Sequence, residues 1–244
     1  MPRWTIFLDD GGVMSNNHVR GPQWQRLVGE FFAPRLGGVP EGWAAVNRVV
    51  AERLFAEYER DWAGRTDVPF EDYWIPYQIR WLAGMCEALG LPTPPPDEAY
   101  RLAEEATGYI SHRVNAAFPG VVEAVRELHG QGYPLHTASG ERSGELNGYL
   151  THMGIRDCFT RLYGPDLIGT LKQGPAFHER LLADAGVDPR DALIVDDSPL
   201  VMGWVRDIGA TGVLVHPTLP TDTAARHVIG RLAELPRFLT ELTQ

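Results

Sequence analysis

The chain has 244 residues, 44 % hydrophobic and 22 % charged, with 22 Lys+Arg against 32 Asp+Glu for a net charge of −10. That length and composition suit a folded chain with a sizeable core and exclude intrinsic disorder. The acidic balance argues against generic nucleic-acid binding, which needs a basic face, and no apolar run approaches the roughly 20 residues of a membrane span.

Trp4 to Leu8 (WTIFL) reads as a buried strand, ending in Asp9-Asp10-Gly11-Gly12 as a tight turn. From residue 15 to about 116 no strand is evident. Residues 43–63 and 72–90 have the spacing of amphipathic helices. Leu91 to Pro96 (LPTPPP) is a stiff connector, with Asp97 as N-cap of a helix over 98–114. A second strand–helix rhythm starts near Phe118. Residues 120–130 are helical by their apolar spacing, and Tyr133 to His136 lead into Thr137-Ala138-Ser139-Gly140. Helices are predicted over 142–153, stopped by Gly154, and over 175–185, stopped by Gly186. Ala192 to Val195 is a strand ending in Asp196-Asp197-Ser198-Pro199, a helix runs on to about Ile208, and Gly212 to Val215 is one more strand. Strands alternating with helices at this spacing indicate a parallel α/β sheet. A helical module thus interrupts the sheet domain after its first strand.

Cys86 and Cys158 are too few for a disulfide framework and point to a reduced compartment. The opening MPRWTIFLDDGG lacks an apolar signal segment. A cytoplasmic protein is expected. None of the eight histidines forms a metal-ligand spacing; His112, His129 and His227 fall in helical stretches. Trp43, Trp62, Trp74, Trp81, Tyr58 and Tyr73 are expected to pack the core of the helical module, with one or two left to line a pocket.

In a parallel α/β sheet, ligands sit beyond the carboxyl ends of the strands. Asp9-Asp10, Thr137-Ala138-Ser139 and Asp196-Asp197-Ser198 all follow strands directly, so neighbouring strands would make them converge. Clustered carboxylates repel unless a cation sits among them. Oxygen donors without a His/Cys cluster point to Mg²⁺. The chain has one lysine, Lys172, and 21 arginines. A carboxylate nucleophile, a hydroxyl, a lysine and a carboxylate-bound cation suffice to hold and transfer a phosphoryl group.

FLDDGGVM at 7–14, LHTASG at 135–140, LKQGPAF at 171–177 and LIVDDSP at 193–199 follow one another in the order of the haloacid dehalogenase superfamily's motifs. The whole chain resembles that family, with the helical insert in the place of its C1-type cap. The resemblance implies a Rossmann-like parallel-sheet core over 1–14 and 117–244 and an α-helical cap over 15–116. It implies Asp9 as the nucleophile and Thr137, Ala138 and Lys172 as the binders of the phosphoryl group. It implies Asp9, Asp196, Asp197 and the Gly11 carbonyl as Mg²⁺ ligands. The substrate would be a small phosphorylated metabolite; oligomeric state is not legible.

One departure stands out. The family's phosphatases carry a second Asp two residues after the nucleophile as general acid/base, and here that position is Gly11. Asp10, on the opposite face of the strand, does not replace it. His18 is near enough in sequence to be a candidate. Loss of a positioned acid/base removes about 10²–10⁴ in rate, so a catalytically impaired member that binds a phosphorylated ligand or partner is the alternative. A haloacid-type dehalogenase, which needs no Mg²⁺, is the third reading, and the retained Asp196-Asp197 pair argues against it. Phosphonate cleavage through a cap lysine is blocked, because Lys172 is the sole lysine.

Overall fold

The structure is a computed structural model that describes residues 3–62, 69–218 and 224–242; the side chain of Trp62 lies outside the described part. Six parallel strands form one sheet: β1 (Thr5–Leu8), β2 (Leu135–Ala138), β3 (Arg161–Tyr163), β4 (Ala192–Asp196), β5 (Thr211–Val215) and β6 (His227–Ile229), in the order β3-β2-β1-β4-β5-β6. This is the parallel α/β sheet that the alternating pattern predicts, in the Rossmann-like form that the family resemblance implies. β1 lies at the centre between β2 and β4, although about 130 residues separate it from β2 in the chain.

Period-two alternation accounts for how the sheet is covered. Ile6 and Leu8 of β1, with Leu193 and Val195 of β4, face α5 (Val121–Gly130), α6 (Ser143–His152) and α10 (Leu235–Leu242). Phe7 and Ile194, one residue out of phase, face α8 (Pro175–Ala185) and α9 (Pro199–Asp207). The near-continuous apolar runs IFL and ALIV follow from this two-sided burial.

Between β1 and α5 lie α1 (Asn17–Leu36), α2 (Pro40–Trp62), α3 (Phe70–Leu89) and α4 (Pro96–Ser111). They share a separate core around Phe32, Trp43, Leu82 and Met85, and Tyr149 of α6 joins it. A close approach ties α4 to α6: a Cβ on Gly148 would lie 2.2 Å from Ser111 Oγ. A one-turn helix, α7 (Pro165–Ile168), follows β3.

Three details differ from the sequence reading. α1 breaks the amphipathic pattern with Pro22 and Pro34 inside it, yet forms under an Asn16 cap whose side chain accepts from the His18 amide. α4 starts at Pro96, with Asp97 in its first turn rather than at the cap. His227 lies in β6, a three-residue edge strand too short to show a period, and not in a helix.

Candidate active site

The register of the sheet brings the acidic turns together. Leu8 pairs with Val195 on one side and with Thr137 on the other. The Asp9 amide donates to the Val195 carbonyl at 2.9 Å. Asp9 and Asp196 therefore leave adjacent strands at the same level and on the same face.

Each carboxylate is aimed by its own turn. Asp9 Oδ1 accepts from the Asp10 amide at 2.8 Å, and Asp196 Oδ1 accepts from the Ser198 amide at 2.8 Å. This leaves the Oδ2 atoms free to meet Lys172, whose Nζ lies 3.1 Å from Asp9 Oδ2 and 2.7 Å from Asp196 Oδ2. Lys172 keeps only 10 % of its side chain exposed, and the two carboxylates hold its ammonium charged by raising its pKa against the opposing effect of desolvation. Burial pushes the Asp196 carboxyl up to about 6, and Lys172 opposes the shift.

Asp197 completes the cluster: one carboxylate oxygen each from Asp9, Asp196 and Asp197 lie within 4.8 Å of one another. Gly12 makes room for it. At φ +82° a Cβ on Gly12 would stand 1.9 Å from Asp197 Oδ2, so only glycine lets the first loop close on the second. Three oxygen donors around a small gap, with an excess of negative charge over the one lysine, fit a hard divalent cation such as Mg²⁺.

Asp10 belongs to a different network. It is fully buried and accepts from Ser15 Oγ at 2.7 Å and from Arg20 Nη1 at 2.5 Å. Burial raises its carboxyl to about 6 despite the pull of Arg20. Arg20, from the first turns of α1, also reaches Glu141 Oε1 at 3.3 Å and lies 5.3 Å from the Tyr149 ring centre. A Cβ on Gly11 would lie 3.0 Å from Arg20 Nη2 and 3.2 Å from Asn17 Nδ2. The space beside Gly11 is thus filled by Asn17 and Arg20. His18 is exposed at the start of α1 and does not line the cavity.

Thr137 and Ala138 are fully buried at the end of β2. The Thr137 hydroxyl donates to the Tyr163 carbonyl at 3.1 Å and so ties β2 to β3. Ser139, two residues on, lines the cavity wall. Arg20, Glu141 and Glu145 are residues of this site that the sequence did not single out. Burial and the neighbouring Glu141 raise the Glu145 carboxyl well above its ordinary range.

Asp9 and Gly11 open onto a cavity of about 770 Å³ between the sheet and helices α1–α4. Trp74, Tyr58 and Tyr73 line it together with Trp81, whereas Trp43 is packed away from solvent. More of the expected core aromatics therefore face the pocket than the one or two anticipated.

A family model for haloacid dehalogenase-like hydrolases matches residues 5–200. Among curated proteins, a phosphoglycolate phosphatase of Pseudomonas putida is 28 % identical over 171 residues, covering 67 % of this chain and 58 % of that one. A bifunctional riboflavin kinase/FMN phosphatase of Arabidopsis thaliana is 28 % identical over 125 residues, covering 49 % and 32 %. These matches thus span less than two thirds of the length of either relative. A 2-haloacid dehalogenase from Pseudomonas syringae superposes with a TM-score of 0.68 at 20 % identity, covering 99 % of this chain and all of that one. A putative HAD-hydrolase from Bacillus subtilis, solved with magnesium bound, gives 0.66 at 14 % identity over 98 % and 100 %. At such identities the solved structures speak for the fold.

Proposed function

The chain belongs to the haloacid dehalogenase-like hydrolases, and from that premise we propose that it transfers the phosphoryl group of a small phosphorylated metabolite to Asp9 and then to water. The observation that carries this reading is the bridge by which Lys172 holds Asp9 and Asp196 together beside Asp197. We take residues 1–14 and 117–244 as the core and 15–116 as a cap. Phosphatase-named relatives support a phosphate ester as substrate.

In the first step a carboxylate oxygen of Asp9 attacks phosphorus, the bond to the leaving oxygen breaks, and an aspartyl-phosphate forms. Lys172 orients Asp9 and offsets charge on the phosphoryl oxygens, and the Ser139 hydroxyl meets the substrate from the cavity wall. Thr137, through its bond to the Tyr163 carbonyl, fixes the strand end beneath it, and Ala138 packs beside it against Phe7 and Tyr163. In the second step water attacks phosphorus and the bond to Asp9 breaks, which returns the carboxylate and releases phosphate. Asp9, Asp196, Asp197 and the Gly11 carbonyl would hold Mg²⁺, which supplies electrostatic stabilisation of the phosphoryl group. Closure of the helical layer over the sheet would exclude bulk water.

A second reading, ligand binding with little turnover, rests on one observation. The group beside Gly11 is a guanidinium, which exchanges no proton near neutral pH. An activated aryl phosphate assayed with Mg²⁺ separates the readings. Aryl release that is abolished in Asp9→Asn supports the hydrolase. An inert wild type that gains activity in Gly11→Asp supports the impaired member. Halide release from a 2-haloacid without Mg²⁺ would identify a dehalogenase, against which the acidic pair at 196–197 argues.

A further inference from the structure

The cavity above Asp9 carries a chemical signature of its own. Among the described residues that line it, nine of 27 are aromatic, against 10 % of the whole chain, and only Ala51 and Leu171 are aliphatic. A pocket built for an alkyl chain would be walled by Leu, Ile and Val. This one is walled by rings. Its volume, about 770 Å³, falls within the range of about 300–1,000 Å³ that houses drug-sized ligands and far exceeds what a phosphoryl group alone fills.

The rings form an ordered wall. Phe70, Tyr73, Trp74 and Tyr77 share one face of α3 at helical spacing, and Phe55 and Tyr58 of α2 stand at the same cavity. Trp74 lies nearly parallel to Phe70 and to Tyr77, with interplanar angles of 19° in both pairs and centroid distances of 5.7 and 5.5 Å. It is also held by polar partners. Its Nε1 donates to Glu104 at 2.7 Å, and the Arg142 guanidinium, bound to both oxygens of Glu104 at 3.0 Å, lies 3.9 Å from the ring centre. Tyr73 and Tyr77 line the same cavity as Glu141, Glu145, Arg20 and Asp9. Trp74, Tyr73 and Tyr77 are half-buried at the cavity, Phe70 is buried behind them and Phe55 is 60 % exposed. A contiguous patch of fixed, partly exposed rings at a cavity is an arrangement that water disfavours and a flat ligand stabilises.

We propose that the substrate is a phosphate monoester carrying a planar aromatic or heteroaromatic group, with the phosphate on Asp9 and the ring system against the α2–α3 wall. The inference rests on the phosphoryl-transfer reading for the position of the phosphate, and on the cavity alone for the ring.

Two primary alkyl esters with matched leaving groups test it: 2-(1-naphthyl)ethyl phosphate and butyl phosphate. Phosphate release is followed with Mg²⁺, and binding of each ester to the Asp9→Asn protein is measured by calorimetry. Stacking of one ring system corresponds to a preference of about tenfold or more for the naphthyl ester. Tyr77→Ala and Trp74→Ala should lower that preference about tenfold, and Trp74→Phe, which keeps a ring on the wall, should retain most of it even if Trp74→Ala does not fold. Equal affinities for the two esters, or variants that leave the ratio untouched, overturn the proposal. Turnover of neither ester, with a calorimetric preference for the naphthyl compound, refutes the hydrolase reading and upholds the ring site.

Discussion

Replacing Lys172 with methionine removes the ammonium and keeps a chain of similar length. In the native site one positive charge, with only 10 % of its side chain exposed, faces Asp9 at 3.1 Å and Asp196 at 2.7 Å. At an effective dielectric constant of about 20, the two contacts represent roughly 5 and 6 kcal/mol of gross attraction. Desolvation of the three ions offsets most of this, and removal of one partner from such a network nets about 3–5 kcal/mol. The cluster would change from three carboxylates and one ammonium to three carboxylates alone. Urea unfolding of Lys172→Met in EDTA should therefore show a loss of about 3–5 kcal/mol. Mg²⁺ should return much of it: saturation at 100 times the dissociation constant contributes about 2.7 kcal/mol. The variant should respond to Mg²⁺ more strongly than wild type while losing phosphoryl transfer. An unchanged urea midpoint in EDTA would refute the electrostatic account, and a loss that Mg²⁺ leaves unaltered would refute the carboxylates as its ligands.

Gly12→Ala places a methyl group 1.9 Å from Asp197 Oδ2 at a φ of +82°, so Asp197 must move; calorimetry should show Mg²⁺ affinity reduced at least tenfold, and unaltered affinity would remove Asp197 from the metal site. Gly148→Ala drives a methyl into Ser111 across the α4–α6 contact and should lower stability by about 1–3 kcal/mol, read as a Tm drop of roughly 2–12 °C for a chain of this size. His178, fully buried with neither ring nitrogen hydrogen-bonded, is lowered to a pKa of about 3 by burial and by Lys172. The unfolded chain takes up this proton near pH 6.5 and the folded chain only near 3, so stability is full above 6.5 and falls as pH drops towards 3. At pH 5 this single group favours unfolding by roughly 2 kcal/mol; His178→Leu should flatten the fall between pH 7.5 and pH 5 by that amount in urea titrations, and an unchanged slope would show the histidine to be protonated in the fold.

The parts of the fold that the sequence made legible are those where one interaction dominates. IFL and ALIV are apolar on both faces because both faces are covered, and each run stops abruptly at an aspartate. β3 and β6, three residues each at the edges of the sheet, are too short for any period to emerge. α1 was hidden by Pro22 and Pro34, which propensity counts against a helix and which packing of Leu27, Val28, Phe31 and Phe32 overrides. At the site, Lys172 stood out because the chain has no other lysine, whereas Arg20 is one arginine among 21. The aromatic spacing of α3 fits a buried stripe and a cavity wall equally well, so only the positions of neighbouring helices distinguish the two.

Adjacent aspartates after β1 serve separate ends because the turn that begins there points them apart. Asp9 faces Lys172 and the gap shared with Asp196 and Asp197; Asp10 faces Ser15 and Arg20. Each cation bridges two acids: Lys172 joins β1 to β4, and Arg20 joins the loop after β1 to Glu141 in the loop after β2. Arg20 belongs to α1, so the second bridge also fastens the helical layer to the sheet at the mouth of the site. Gly11 is what makes this bridge possible, since a Cβ there would already be in tight contact with the guanidinium. An aspartate at that position would compete with Asp10 and Glu141 for the same cation. Gly11 and Arg20 therefore form one structural choice: the absence of a side chain at 11 leaves room for the charge that anchors the helices between Asp10 and Glu141.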